Sequence, residues 1–371
     1  RSVPFTANYS IKTNSNLTLL RIALEEGLSA DAMSPGEIEF LLRAGFPQER
    51  IFYVANNVSD EELRFAIDRG IMTSLDSVSQ LERFGRLNPN GKCALRLNPG
   101  VGAGHHEKVI TAGKKTKFAI AQEDIDHAKI VANKYNLKIV GVNQHIGSLF
   151  MDATPYLQAI ENFLQLAKGF EDLEFVDFGG GFGIPYRKLS GEKTLDIDAT
   201  SKALDHICEQ FAKEYGKPIV FKIEPGRYIA AESCVLIGRV HSLKQNAGVH
   251  YVGTDIGMNV LVRPSMYGSW HDIEVYRDGE VLSSDDQTAI YTVVGNICET
   301  GDILAKDRTL PIVRENDLLV VLDAGAYGYC MSSNYNNRLK AAEVMIGTDG
   351  LPQLIRRRQT LEDLFREFPG F

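Results

Sequence analysis

The stretch LSADAMSPGEIEFLLRA, residues 28–44, carries the pattern that decides the fold. It opens on a short strand-like run at 28–32. Ser34 and Pro35 stop that run, and apolar residues then recur at helical spacing through Ile38, Leu41 and Leu42. Ser34 suits an N-cap, because its hydroxyl can take one of the first backbone N–H groups of a helix. Pro35 suits the first helical position, where a missing N–H costs nothing. The same strand-then-helix unit repeats from residue 1 to about 230. The other predicted strands are 4–11, 50–55, 71–75, 92–97, 138–145, 173–179 and 218–224. Helices are predicted at 15–26, 35–44, 60–69, 77–86, 122–135, 153–169 and 196–216, with a short one after the last strand. Ser59-Asp60-Glu61-Glu62 reads as a capping box at the head of the third helix. Eight such units predict an α/β fold, a (β/α)8 TIM-like barrel over residues 1–231. A doubly wound sheet alternates in the same way, and the count of eight decides between them.

Beyond residue 231 the period changes. Strand-like runs at 234–243, 249–255, 272–277, 288–295, 318–323 and 343–347 are separated by turn signals such as Asp278-Gly279 and Asp349-Gly350. Residues 232–371 are therefore expected to form a mostly-β barrel or sandwich, closed by a tail helix at 360–367. Within the first domain, residues 99–117 break the rhythm with a long Gly-rich, basic loop of the kind that is usually functional or mobile.

Composition removes several classes. Lys plus Arg number 40 and Asp plus Glu 48, so the net charge is 40 − 48 = −8, which argues against a general nucleic-acid binder. No apolar run approaches the roughly 18 residues a membrane span needs. Cys93, Cys208, Cys234, Cys298 and Cys330 are widely spaced and form no Cys-x-x-Cys pair, so no zinc knuckle or dithiol motif is present. Few scattered thiols and no visible signal peptide after Arg1 read as a reduced, cytoplasmic protein.

In a (β/α)8 barrel the C-terminal strand ends form one rim, where active sites lie. Here that rim would hold Tyr9-Ser10-Ile11-Lys12-Thr13-Asn14, Arg96-Leu97-Asn98, Gln144-His145-Ile146-Gly147-Ser148, Asp177-Phe178-Gly179-Gly180-Gly181 and Glu224-Pro225-Gly226-Arg227. Taken singly, each has a plain reading. Lys12 is a solvated loop lysine, His145 a structural histidine, the glycines a tight turn, and Glu224 with Arg227 a surface ion pair. Taken together they fit pyridoxal 5'-phosphate. A lysine forms a Schiff base, an imidazole stacks on a ring, glycine amides cradle a phosphate, and a carboxylate keeps the pyridine nitrogen protonated. That last group makes the ring a full electron sink, which suits loss of CO2 better than racemisation.

These motifs resemble those of the fold-type III pyridoxal-phosphate decarboxylases, over nearly the whole chain, and within them the branch that acts on meso-2,6-diaminoheptanedioate. The resemblance implies Lys12 as the Schiff-base residue, His145 over the ring and Ser148 near the phosphate. It implies Gly181, Gly226 and the backbone of Arg227 on the phosphate, and Glu224 on the ring nitrogen. In the second domain, Cys298-Glu299-Thr300-Gly301-Asp302 is similar to the family's Cys-Glu-Ser-Gly-Asp. Cys298 would be the proton donor, reaching into the partner subunit of a homodimer with shared sites, and Glu299 would bind the substrate amine. Arg263 and Tyr267, with Arg227, resemble its distal-carboxylate clamp, and Ala324-Gly325-Ala326-Tyr327-Gly328 the segment whose Tyr327 meets phosphate and substrate. Without the resemblance, Cys298 reads as a small buried hydrophobe and Arg263 as a surface residue. Thr300, Leu149 and Thr116-Lys117-Phe118-Ala119 depart from the family pattern, and an N-terminal strand usual in the second domain is expected to be missing. The implied activity is decarboxylation of that small amino-acid substrate to L-lysine. Rivals are a related decarboxylase of ornithine, lysine, arginine or carboxynorspermidine, a non-catalytic homologue, and a racemase, which Glu224 argues against.

Overall fold

A computed structural model describes residues 3–100, 116–283 and 287–370. Most of the predicted basic loop at 99–117 lies outside the described residues. Eight parallel strands close into a barrel in sequence order. They are β1 (Phe5–Ser10), β2 (Ser29–Ala32), β3 (Ile51–Val54), β4 (Met72–Leu75), β5 (Lys92–Arg96), β6 (Lys138–Asn143), β7 (Phe175–Asp177) and β8 (Val220–Ile223). Between them run α1 (Leu17–Glu25), α2 (Pro35–Ala44), α3 (Asp60–Ile67), α4 (Val78–Leu87), α5 (Ile125–Lys134), α6 (Thr154–Ala167) and α7 (Ile197–Tyr215), and a four-residue helix, α8 (Arg227–Ala230), follows β8. The barrel reading therefore stands over the doubly wound sheet, because β1 pairs with β8 as well as with β2.

Local chemistry sets the helix starts. The Ser34 hydroxyl accepts from Glu37 N at 3.2 Å with Pro35 in the first turn. Ser59 and Glu62 form the full capping box of α3. Within the barrel, Phe52, Val54, Ala94, Val140 and Phe175 make a buried cluster from β3, β5, β6 and β7. Phe52 and Phe175 meet edge to face at 5.4 Å.

The chain folds as two units, residues 1–184 with 194–228, and 185–193 with 229–371. The second unit holds one seven-stranded sheet, in the order β12-β11-β15-β9-β10-β13-β14. Its strands are β9 (Leu236–Asn246), β10 (Val249–Thr254), β11 (Ile273–Arg277), β12 (Glu280–Val281), β13 (Thr288–Val294), β14 (Ile303–Pro311) and β15 (Leu318–Val321). β16 (Glu343–Ile346) and β17 (Pro352–Arg356) pair separately, and a short helix, α9 (Arg263–Tyr267), lies between β10 and β11. β9 pairs with β15 along 236–239 and with β10 along 240–246, so one long strand serves both sides of the sheet.

The periodicity of the sequence does not reveal β14, β12, β17 or α9. β14 has no clean alternation: Lys306 and Asp307 are both exposed, and Asp307 sits at φ 51° beside register shifts in the β13 pairing. Asp278-Gly279, read as a turn, joins β11 to β12 with φ of 52° and 90° at its two residues, which suits Asp-Gly in a tight hairpin. The predicted tail helix at 360–367 is corrected to a single 3₁₀ turn, Leu361–Leu364. Asp363 is held by Thr360 N and by Arg357 and Arg366, while Phe365 and Phe368 stay exposed, so no apolar face supports a longer helix. Among the described residues no helix is long and apolar enough to cross a membrane.

Gly141 lies on β6 where an added Cβ would come within 2.1 Å of the Phe175 ring. Gly141→Ala should therefore cost about 1–3 kcal/mol of stability through overpacking, read by urea unfolding. The double variant with Phe175→Leu should lose less than the sum of the two single losses, because the leucine yields the space. Strict additivity would show that the ring moves aside freely.

Candidate active site

β1 runs into a 3₁₀ turn, Ile11–Thr13, that carries Lys12. The turn is pinned from both sides. Ser10 N donates to Pro225 O at 3.1 Å, and the Tyr9 hydroxyl donates to Asn14 O at 2.9 Å. Asn14 then accepts from Asn16 N at 3.0 Å, and Asn16 caps α1 by accepting from Thr18 N at 2.9 Å. Gly226 packs on this turn so closely that a Cβ would lie 2.2 Å from Thr13 Oγ1 and 2.8 Å from Ser10 Cβ. Only glycine lets the loop after β8 approach Ser10 and Thr13, on either side of Lys12, so nearly. Lys12 itself is half-buried rather than a solvated loop residue.

The glycine triplet follows β7. Gly179 N donates to Asp177 Oδ1 at 2.9 Å, and Gly180 N donates to His145 Nδ1 at 3.1 Å. The second bond fixes the imidazole tautomer: Nδ1 accepts, so the proton sits on Nε2. Desolvation, with Lys12 and Arg96 nearby, holds His145 well below the usual imidazole range and hence neutral. Gly181 has φ 107°, and a Cβ there would strike Gly147 O at 2.5 Å. Arg227 is buried and donates through Nη2 to Ser148 Oγ at 2.9 Å, so it is not half of a surface ion pair with Glu224. Lys12, His145, Ser148, Gly181, Glu224, Gly226 and Arg227 thus all belong to the barrel unit.

Glu224 is 4% exposed, and its Oε1 is buried without a hydrogen-bond partner among the described residues. Burial pushes its carboxyl well above the usual range, and the neighbouring Asp177 and Asp31 push the same way. Burial likewise raises Asp31 to about 7, partly offset by Lys12, and Asp177 to about 6, partly offset by the Gly179 amide, Lys222 and Asn8. The cations answer in kind: burial lowers Arg96 and Lys222, while Glu224 and other carboxylates hold them up. Motif reading places Arg96 and Asp177 on the rim without giving either a role, and it misses Asp31 and Lys222. The available signal was a charged residue inside or at the end of a barrel strand, a place where an unpaired charge is costly.

The remaining predicted residues lie in the second unit. Arg263 opens α9 and is 1% exposed, which overturns its plain reading as a surface residue. Its guanidinium lies 4.5 Å from the Tyr186 ring and donates through Nη1 to His271 Nε2 at 2.6 Å. His271 Nδ1 donates to Leu322 O at 2.7 Å, so Nε2 is the acceptor that Arg263 requires. Tyr267 ends α9, half-buried. Tyr327 holds φ 58° in a loop where a Cβ on Gly325 would strike Ala230 O at 1.9 Å. Cys298 and Glu299 are exposed, so the reading of Cys298 as a buried hydrophobe is also overturned. Their loop is tied by Asp302, which accepts from Met258 N at 2.6 Å and Ile297 N at 2.8 Å. Gly257 and Gly295 leave the room Asp302 occupies, since a Cβ on either would come within 2.8 Å of it.

Residues 2–231 match the family described as pyridoxal-dependent decarboxylase, pyridoxal binding domain. The chain is 40% identical, over 98% of its length and 84% of the relative's, to a diaminopimelate decarboxylase of Methanothermobacter thermautotrophicus. This chain belongs to the diaminopimelate decarboxylase family. The Escherichia coli K12 enzyme of that name is 37% identical over 96% of this chain and 87% of its own. A Helicobacter pylori diaminopimelate decarboxylase solved with L-lysine superposes with a TM-score of 0.88 at 31% identity, over 99% of this chain and 90% of that one.

Pyridoxal phosphate is the cofactor of this family, and the barrel fits it. The unpartnered Glu224 Oε1 is what a pyridine N–H would satisfy. The glycine approaches, with Ser148 and Arg227, supply the donors a phosphate needs.

Asp31 keeps its proton up to about pH 7 in the folded barrel and only to about its ordinary 3.8 in the unfolded chain. Between those values the folded state holds the extra proton, so this group lowers stability as pH rises. In the cofactor-stripped protein, Asp31→Asn should gain on wild type in urea midpoint as pH climbs from about 4 to about 7. A gap that stays constant with pH would mean Asp31 is ionised in the fold throughout.

Proposed function

We infer that this chain is a pyridoxal-phosphate-dependent decarboxylase that converts meso-2,6-diaminoheptanedioate to L-lysine and CO2. The observation that carries the reading is the buried Glu224 carboxyl, unpartnered at Oε1 among the described residues and flanked by Lys12 and Arg96, the same two cations that act on His145. When bound, the cofactor supplies a carbonyl that condenses with amines and a ring that takes up the electron pair left behind by CO2.

The chain's own groups would divide the work as follows. Lys12 would hold the cofactor covalently and, once freed by the substrate amine, stay in the barrel mouth as a base. Glu224 would sit on the ring nitrogen. A cation there favours its ionised form, reversing the upward push that burial gives it. Neutral His145 would lie on the ring face, adding no charge to oppose a protonated nitrogen. Ser148, Gly181, Gly226 and Arg227 would hold the phosphate, with Tyr327. Glu299 would take the substrate's amino group, and Cys298 would give the proton that replaces CO2.

Substrate choice rests on Arg227, Arg263 and Tyr267. His271 and Tyr186 hold Arg263 in one orientation, which suits bidentate capture of a distal carboxylate. Lysine, ornithine or arginine would present a cation or nothing to that clamp. We propose a cytoplasmic homodimer in which Cys298 and Glu299 serve the partner's barrel. Their exposure within their own chain supports this, and a reducing compartment suits a working thiol.

CO2 and lysine should form in equal amounts from meso-diaminoheptanedioate, and neither ornithine nor arginine should release CO2 at a comparable rate. In the same assay Glu224→Gln should lose about a hundredfold in kcat, the scale of losing one electrostatic contact to developing charge. An equal rate on ornithine would sink the substrate assignment, and near-wild-type Glu224→Gln the ring-nitrogen role. Separately, mixing Lys12→Ala with Cys298→Ala should restore part of the activity, since a hybrid dimer would have one intact site. No recovery, with subunit exchange verified by mass, would place both groups in sites built by one chain.

A further inference from the structure

Asn336 lies outside every motif discussed so far, 38 residues beyond Cys298, and grips it at two atoms. Its Oδ1 accepts from Cys298 N at 2.9 Å, and its Nδ2 donates to Cys298 Sγ at 3.0 Å. The first bond settles the amide's orientation. A backbone N–H can only donate, so Oδ1 must face it and the NH2 group must face the sulfur. Tyr335, one residue earlier, donates its hydroxyl to Glu299 Oε1, and it also shares a side-chain hydrogen bond with Cys298. One turn, Tyr335–Asn337, therefore holds both polar side chains of the Cys298-Glu299 pair.

The backbone suits the task. Asn336 sits at φ 54° and ψ 25°, the left-handed region that Asn tolerates better than other side-chain-bearing residues. That conformation alone would admit glycine. It does not require an amide reaching across to Cys298.

We propose that Asn336 is a positioning residue for proton delivery: its amide fixes the Cys298 thiol in one orientation and donates to the sulfur when the proton has left. The inference rests on Cys298 being the proton donor. A thiol that gives its proton to carbon ends as a thiolate, and an N–H aimed at that sulfur makes a charge-assisted bond in the product state. The other ionisable groups around the loop are Glu299, Tyr335, Asp302, whose oxygens are taken by Met258 N and Ile297 N, and Arg338, which donates to Asn296 O at 3.3 Å. Of these groups Tyr335 also bonds the Cys298 side chain, but none offers the sulfur a second amide N–H.

Two substitutions separate this role from a structural one. Asn336→Gly keeps the left-handed backbone and removes the amide. Asn336→Asp keeps an oxygen for Cys298 N and loses the N–H toward sulfur. In cofactor-loaded protein at pH 7, iodoacetamide should modify the Cys298 peptide about tenfold more slowly in Asn336→Gly, the cost of one lost hydrogen bond to a thiolate. Asn336→Asp should not rescue that rate, and kcat should fall in both variants while KM for the amino acid stays near wild type. Unchanged alkylation in Asn336→Gly, or full rescue by Asn336→Asp, overturns the proposal in favour of a purely structural turn. Slowed alkylation in both variants, alongside a Cys298→Ala protein that decarboxylates at the wild-type rate, keeps the grip on sulfur but overturns the proton-donor reading beneath it.

Discussion

Three carboxyl groups, Asp31, Asp177 and Glu224, are buried within the barrel unit, and much of the site's construction offsets the cost of putting them there. Each is driven toward its neutral form by desolvation. Each is drawn back by a specific donor or cation: Lys12 beside Asp31, the Gly179 amide, Asn8 and Lys222 beside Asp177, Lys12 and Arg96 beside Glu224. Such a balance is easily tipped, which is useful where a charged cofactor must bind. A protonated ring nitrogen needs a carboxylate that does not already have a strong partner, and Glu224 Oε1 meets that condition.

Glycine provides the second constraint. At 181 and 226 the backbone comes so near its neighbours that a methyl group would collide, and in both cases the neighbour belongs to a different strand–loop unit. The loop after β7 is thus locked to the loop after β6, and the loop after β8 to the turn after β1, through positions without side chains. That rigidity matters because the groups proposed for catalysis come from separate strand ends and must hold their spacing without help from a shared element.

Much of this was legible in the sequence, for physical reasons that differ by region. The barrel strands and helices could be read because two periods alternate and because caps such as Ser34 and Ser59 mark the joins. The rim residues could be read because barrel geometry sends all strand ends to one face. β14 was hidden by the irregularity at Asp307, which erases a two-residue period. Asp31 and Lys222 were hidden because a charge on a strand ordinarily points to solvent, and only closure of the barrel buries Asp31 and half-buries Lys222. Arg263 looked like a surface residue because the groups that cover it, Tyr186 and His271, are brought to it by the fold, one of them from 77 positions upstream (263 − 186).

Residues 185–193 leave the barrel between β7 and α7 and belong to the second unit, where Lys188 pairs with Asp323 and Glu232, and Tyr186 lies against Arg263. The chain therefore passes between the units three times, after 184, 193 and 228. Recombination between relatives at a single point near residue 228 would exchange the sheet but leave this nine-residue segment with the other parent. The ring under the buried arginine would then come from one lineage and the arginine from another. Such a crossover would be tolerated only where both parents share the segment, so selection should move 185–193 and the sheet together as one inherited block despite the α7 and β8 sequence between them.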